Sequence, residues 1–318
     1  GQVGDVGVIK TDMGTVEVTN TIHVVGGKTA HLGTVVDGII TAGEKAEAAI
    51  DMKNRLAVSR NHSATHLLQK ALREVLGTHV EQAGSFVSAD RLRFDFTHFQ
   101  PMTDSEIKKV EEIVNGKVLE GIDIDISEKS IDEARKMGAM ALFGEKYGDV
   151  VRVVDMGGFS IELCGGAHLK NTAQIGSFKI VSENGISSGV RRIEALTGEG
   201  ALRHYQNEEA ALKEVCSVLK TTPDSMVKRL QDIISQQKEL AREVERLKAE
   251  MASGAADDIL KDCVDINGVK VICAQIENTG ANDLKTMGDE LKNRLGEAVV
   301  VLASGTDGKV VLVAMATK

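Results

Sequence analysis

His62 and His66 stand four residues apart in Asn61-His62-Ser63-Ala64-Thr65-His66-Leu67-Leu68, and far along the chain Leu163-Cys164-Gly165-Gly166-Ala167-His168 sets a thiol and an imidazole around two glycines and an alanine. The apolar stripe Ala64, Leu67, Leu68, Ala71, Leu72, Val75 and Leu76, closed by Gly77, predicts a helix from about Asn61 to Leu76. On that helix both histidines project from one face, about one turn apart, as a shared ion requires. The second run ends a predicted strand, and its small residues let Cys164 and His168 turn toward one ion. Three nitrogens and one sulfur suit a tetrahedral Zn²⁺, and other first-row metals fit as well. Either pair alone is weak. Their conjunction is stronger, because three of the eight histidines fall in these two runs. The zinc-protease pattern is absent, since Ser63 stands where that pattern places glutamate. His79 and His98 fit core or supporting positions, and His23, His31 and His204 read as surface side chains.

The first fifty residues alternate glycines, among them Gly26 and Gly27, with β-branched runs at Val16 to Thr21 and Thr34 to Val36, which predicts a small β-barrel or sheet. Leu92, Phe94 and Phe96 alternate with charged residues, the period of a half-buried strand. Thr103 with Glu106, and Ser130 with Glu133, have capping-box spacing, so helices are expected to begin there and run to about Leu119 and Met137. Strands at Val150 to Val154, Phe159 to Leu163, Gly176 to Val181 and Val190 to Leu196 complete an α+β unit.

After Gly200 the chain turns helical and charged, with a break at Thr222-Pro223 where a new helix starts. Met226, Leu230, Ile233, Gln237, Leu240, Val244, Leu247 and Met251 then recur in steps of four and three, a heptad seam that predicts a coiled coil ending at Gly254. An amphipathic helix packed on its own domain is the other reading. The tail reads as strand Gly268 to Gln275, helix Asp283 to Leu295, and strands Ala298 to Ser304 and Lys309 to Ala316 around the turn Thr306-Asp307-Gly308. The expected fold is therefore α+β: residues 1–50 part of a β-barrel-like domain, 51–200 an α/β metal-site domain, 201–254 a helical coiled coil and 255–318 a small α/β domain.

With 318 residues and 42% hydrophobic side chains the chain can bury more than one core. No apolar run reaches the ~20 residues of a membrane helix, which places the chain in the cytoplasm with no membrane partner. Four cysteines without a C-x-x-C pair exclude a disulfide framework. The net charge of −9 and 3% aromatic content argue against a general nucleic-acid binder or a base-stacking platform, so any RNA recognition runs through local charge and backbone. Opening on Gly1, the chain is expected to be a piece of something longer.

The two metal-ligand runs, together with Ala141-Leu142-Phe143-Gly144-Glu145-Lys146-Tyr147-Gly148-Asp149, resemble the editing domain of alanyl-tRNA synthetases. Gly1-Gln2-Val3-Gly4-Asp5 is similar to the end of that family's glycine-rich active-site loop, and Val190-Arg191-Arg192-Ile193-Glu194-Ala195 to its signature after the metal motif. Threonyl-tRNA synthetases and free-standing editing proteins share the histidine and cysteine pairs, and the long helical and α/β tail favours the alanyl family. Ala167 departs from the family's threonine, at a position flanked by ligands and not itself one. The chain also stops before the glycine-rich segment that usually finishes the family's C-terminal module.

The resemblance implies zinc on His62, His66, Cys164 and His168, a catalytic role for Gln82 within His79-Val80-Glu81-Gln82-Ala83-Gly84-Ser85, and contacts to substrate or tRNA from Gln2, Thr65, Gly165, Lys170, Arg191 and Arg192. A loop amide bonding its own turn is the plain alternative for Gln82, and paired surface cations for Lys170, Arg191 and Arg192. The implied reaction is hydrolysis of serine or glycine wrongly esterified to alanine tRNA, at that tRNA's acceptor end, with self-association through the coiled coil and no aminoacylation by this chain alone. The rival functions are a zinc-stabilised tRNA-binding module without catalysis, a free-standing trans-editing protein, and an accessory unit of a phosphoesterase, whose Asp-His-His metal motif is missing.

Overall fold

The computed structural model describes residues 1–25, 27–140, 148–277, 279–306 and 309–317. Gly26, the stretch Ala141 to Tyr147 of the third motif and the turn residues Asp307 and Gly308 lie outside them. Two compact units are present, Gly1–Ala211 and Leu212–Lys318.

The first unit opens with β1 (Gly7–Lys10), β2 (Gly14–Val24), β3 (Lys28–Gly38) and β4 (Glu47–Ile50), all antiparallel in the order β3-β2-β1-β4. The expected barrel is an open sheet. β1 and β4 have only four residues each, whereas β2 and β3 form an eleven-residue hairpin whose outer strand is exposed along nearly its whole length. β3 and β4 do not pair with each other, so no interior is enclosed, and Val18 is the one large side chain these strands bury.

The remainder of this unit packs two helices on an antiparallel sheet. α1 (Met52–Leu76) starts nine residues before the expected Asn61, because Asp51 caps it by accepting from the Asn54 N–H while the apolar stripe begins only later. Gly77, at φ 116°, ends it where a side chain is strained. β5 (Gln82–Val87), β6 (Leu92–Thr97), β10 (Phe178–Ser187) and β11 (Val190–Thr197) lie in the order β10-β11-β6-β5. α2 (Asp104–Leu119) begins at the Thr103/Glu106 capping box as its spacing predicts. Ala64, Leu67, Leu68, Ala71 and Leu72 of α1 and Val110 and Val114 of α2 meet Leu92, Phe94, Phe96, Phe178 and Ile193 of the sheet in one core. Each such fully buried leucine or phenylalanine contributes about 1.5–3 kcal/mol.

β7 (Ile124–Ser130), β8 (Val150–Met156) and β9 (Ser160–Leu163) form a three-stranded antiparallel sheet, with α3 (Ile131–Lys136) starting at the Ser130/Glu133 capping box. Val151, Val153 and Leu163 bury their side chains with Ala134 of α3. This small sheet matters for the site because β9 runs directly into Cys164. α4 (Gly198–Leu219) follows β11 and runs on into the second unit.

In the second unit α5 (Met226–Leu260) follows a 3₁₀ turn with Pro223 in its first position. It does not stop at Gly254. Ala256 is buried among Ile272, Leu284 and Leu302, with Ile259 and Leu260 packed alongside, so burial carries the helix past the glycine's unfavourable propensity. Most seam side chains stay open to solvent, Leu240 at 66% and Met251 at 76%, while Met226 and Ile233 are half-buried. β12 (Val264–Ile266), β13 (Val269–Gln275), β14 (Ala298–Thr306) and β15 (Lys309–Ala316) form one sheet in chain order, with β13 and β14 parallel and joined through α6 (Ala281–Leu295). Among the described residues no helix is long and apolar enough to cross a membrane.

Candidate metal centre

α1 is fastened just before its first histidine. Asn61 is buried, its Nδ2 donates to the Ser88 carbonyl at 2.8 Å, and its Oδ1 accepts from Thr197 Oγ1 at 2.7 Å. One helical turn then presents His62, Ser63, Thr65 and His66. Opposite them, Cys164 leaves β9, and its turn is tied to β8 by Arg152, whose Nη1 donates to the carbonyl oxygens of Cys164 at 2.7 Å and Gly166 at 2.8 Å. Gly166 is required for the approach: a Cβ there would lie 2.0 Å from His62 Cε1 and 2.4 Å from its Nδ1.

His62, His66, Cys164 and His168 meet, each offering one ligand atom within 4.8 Å of the others. Nε2 of His62 and Nε2 of His168 each lie 3.4 Å from Cys164 Sγ. That is the edge of about 3.5 Å expected of a tetrahedral Zn²⁺ with bonds near 2.0 Å to nitrogen and 2.3 Å to sulfur. Nδ1 of His66 is buried and has no hydrogen-bond partner, a cost that coordination of an ion removes. The donor set therefore fits a metal ion.

Each imidazole also has a neighbour on its other side. His62 Nδ1 lies 2.7 Å from Gln2 Oε1, and His168 Nδ1 lies 3.1 Å from Ser63 Oγ, which also accepts from the Leu169 N–H at 3.2 Å. His66 Nε2 lies 3.6 Å from Glu162 Oε2, and Ser160 Oγ donates to the other carboxyl oxygen at 2.9 Å. Burial lowers His62 to about 4, helped by Arg152, and it lowers His66 and His168 too. The three rings are thus neutral near pH 7, as ligands must be. Burial likewise raises Glu162 to about 8, so its contact with His66 is between neutral groups and not an ion pair.

A cavity of about 460 Å³ opens beside this cluster, lined by His62, Thr65, His66, Gln82, Ser85 and Gly165 among others. Gln82 Nε2 donates to Ser85 Oγ at 3.2 Å, and Thr65 Oγ1 donates back to the Asn61 carbonyl at 2.8 Å. Gln82, Thr65, Gly165 and Gln2 therefore share one chamber with His62, His66 and Cys164. A larger groove of about 1010 Å³ between the N-terminal sheet and the cysteine turn adjoins it, with Gln2, Arg152 and Gly165 on both walls.

Lys170, Arg191 and Arg192 line neither space. Lys170 is exposed, Arg191 forks onto Glu183 at 2.5 and 2.6 Å, and Arg192 forks onto Asp95 at 2.7 and 2.9 Å. Sequence reasoning passed over Arg152, Glu162 and the bonding of Ser63. For Arg152 a signal existed, a lone cation inside the apolar strand Val150 to Val154; for Glu162 and Ser63 only the folded contacts reveal the role.

Residues 151–194, which hold nearly all of β8, then β9, the cysteine turn, β10 and the first part of β11, match the domain described as the threonyl and alanyl tRNA synthetase second additional domain. The matched segment thus contains the cysteine turn of a histidine–cysteine group able to hold a metal ion. Over its whole length the chain is 54% identical to an alanine–tRNA ligase of Acetivibrio thermocellus, 49% to alanine–tRNA ligase 1 of Lachnoclostridium phytofermentans and 46% to an alanine–tRNA ligase of Bacillus cytotoxicus. These matches support a segment of an alanine–tRNA ligase, in agreement with the resemblance read from the motifs. The chain spans 36% of the length of each of these relatives.

Proposed function

We propose that the chain is the editing part of an alanine–tRNA ligase, a hydrolase that removes serine or glycine wrongly esterified to alanine tRNA. The observation that carries the reading is the meeting of four potential metal-ligand side chains beside a cavity lined by three of them, His62, His66 and Cys164, and by Gln82, with Cys164 and His168 inside the segment that matches a synthetase accessory domain. The chemical need is plain. Glycine is smaller than alanine and serine adds only a hydroxyl, so a binding pocket rejects them by roughly 10²-fold at best, and a second hydrolytic sieve supplies the rest.

In this reading His62, His66, Cys164 and His168 hold zinc. Four protein ligands make a closed set, and the ion when bound supplies a fixed positive charge that shapes and polarises the cavity wall. Gln82, across the cavity, orients the water or the substrate's terminal ribose hydroxyl through its amide. Thr65 and Gly165 bound the space for the aminoacyl group. The acceptor end of alanine tRNA is the partner. The domain layout is 1–50, 51–200, 201–254 and 255–318, with the end of α5 up to Leu260 belonging to the last of these, the open seam of α5 pairs with a second helix as a coiled coil, and the chain works in the cytoplasm without aminoacylating tRNA itself.

The test is to mix the chain with seryl-tRNA, glycyl-tRNA and alanyl-tRNA, all on alanine tRNA, and follow ester hydrolysis with and without a zinc chelator. Chelator-sensitive hydrolysis of the first two alone is the expected result. Zinc bound stoichiometrically with all three esters intact would instead favour a tRNA-binding module in which the ion is structural.

A further inference from the structure

We propose that Gln2 is a positioning residue of the metal centre, setting the proton on one nitrogen of His62 so that the other faces the ion; this rests on the metal-site reading above. The resemblance gives Gln2 a role toward substrate. Its hydrogen bonds give it a different one.

Two donors converge on the same side-chain oxygen. The Ala167 N–H donates to Gln2 Oε1 at 2.8 Å, and His62 Nδ1 lies 2.7 Å from that oxygen. A backbone N–H can only donate, so the atom facing it is the amide oxygen and not the amide nitrogen. An amide oxygen can only accept, so His62 Nδ1 carries the proton. The lone pair then belongs to Nε2, the nitrogen that lies 3.4 Å from Cys164 Sγ. One side chain thereby ties a ligand on α1 to the turn between Cys164 and His168 and fixes the tautomer that coordination needs.

Gln2 is itself held in place by main-chain pairing. The Val87 N–H donates to the Gly1 carbonyl at 3.1 Å and the Val3 N–H to the Val87 carbonyl at 3.0 Å, so Gln2 pairs in parallel with the end of β5. Packing leaves its oxygen little latitude, since a Cβ on Gly166 would lie 2.9 Å from it.

The experiment measures zinc affinity by competition with a chromophoric chelator in the wild-type chain, Gln2→Met and Gln2→Glu. Methionine keeps the length and removes the acceptor; glutamate keeps an acceptor. Gln2→Met is expected to weaken zinc binding about 10–100-fold, and Gln2→Glu to stay near wild type. Equal affinity in wild type and Gln2→Met overturns the inference while leaving the metal site standing, whereas a wild type that binds no zinc overturns the site reading itself. Should Gln2→Met fail to fold, ¹⁵N shifts of His62 in the zinc-loaded wild type decide: a protonated Nδ1 supports the proposal and a metal-bound Nδ1 overturns it.

Discussion

The Cα of Gly166 lies so close to the imidazole of His62 that a Cβ on it would come within 2.0 Å of ring carbon Cε1. No rotamer choice on the glycine side relieves this, because a Cβ has no freedom. Gly166→Ala therefore displaces either the ring or the turn, with an overpacking cost of about 1–3 kcal/mol. The expected outcome is a lower urea midpoint and loss of stoichiometric zinc, read by metal analysis. Zinc retained at wild-type affinity would show that the turn relaxes without the ring.

Arg152 holds two carbonyl oxygens of the same turn. Replacing it by methionine removes a charged donor from each, and the hydrogen bonds lost are expected to cost about 2 kcal/mol. Thermal unfolding measures this, and the rate of zinc release to a chelator should rise in the variant.

Gln82 touches the cavity but none of the four ligands in the hydrogen-bond pattern; its own bond is to Ser85. Gln82→Ala should leave zinc content and melting temperature unchanged while lowering deacylation on the order of 10²-fold, the usual effect of removing one oriented donor. A parallel loss of zinc would assign Gln82 to the structure of the site.

In the metal-free chain two opposed pH trends follow from burial. His62, His66 and His168 lie below their ordinary 6.5, so between His62's value of about 4 and 6.5 the unfolded state binds more protons, and stability is lost as pH falls through that window. Glu162 is raised from 4.5 to about 8, so there the folded state binds more protons, and stability is lost as pH rises through that range. Urea midpoints against pH should fall on both sides of an optimum, and Glu162→Gln should remove the decline on the alkaline side.

Arg191 and Glu183 are both largely buried, at 13% and 5% side-chain exposure, and joined by a two-bond fork. Arg191→Met leaves Glu183 buried without its cation and should destabilise the chain by about 3 kcal/mol. A phosphate-contacting arginine would behave otherwise: its loss would lower the salt dependence of tRNA binding by about one counterion. Measuring both separates the two roles.

The metal ligands were legible because a helix and a short turn impose fixed local spacing on His62/His66 and Cys164/His168. Their neighbours were not. Gln2 and Glu162 reach His62 and His66 across long stretches of chain, and nothing local marks a glutamine or a strand carboxylate as such a partner, whereas Arg152 left one signal, a lone cation inside an apolar strand. Most strands and both capping boxes could be read from alternation and side-chain chemistry. Whether the N-terminal strands close into a barrel could not, because β-branched residues and glycines suit a closed barrel and an open sheet equally. Likewise α5 ran past Gly254 for a tertiary reason, the burial of Ala256, that helix propensity does not contain.

Because Arg152 ties the cysteine turn to β8, and Asn61 ties α1 to β11 and the loop after β5, the framework around the four ligands is held by bonds that do not involve an ion. A small zinc finger acquires its shape and its metal in a single event. Here a hydrophobic core supports the seat, so an ion held there would be acquired by a folded protein, open to competition among metals and to reversal without unfolding.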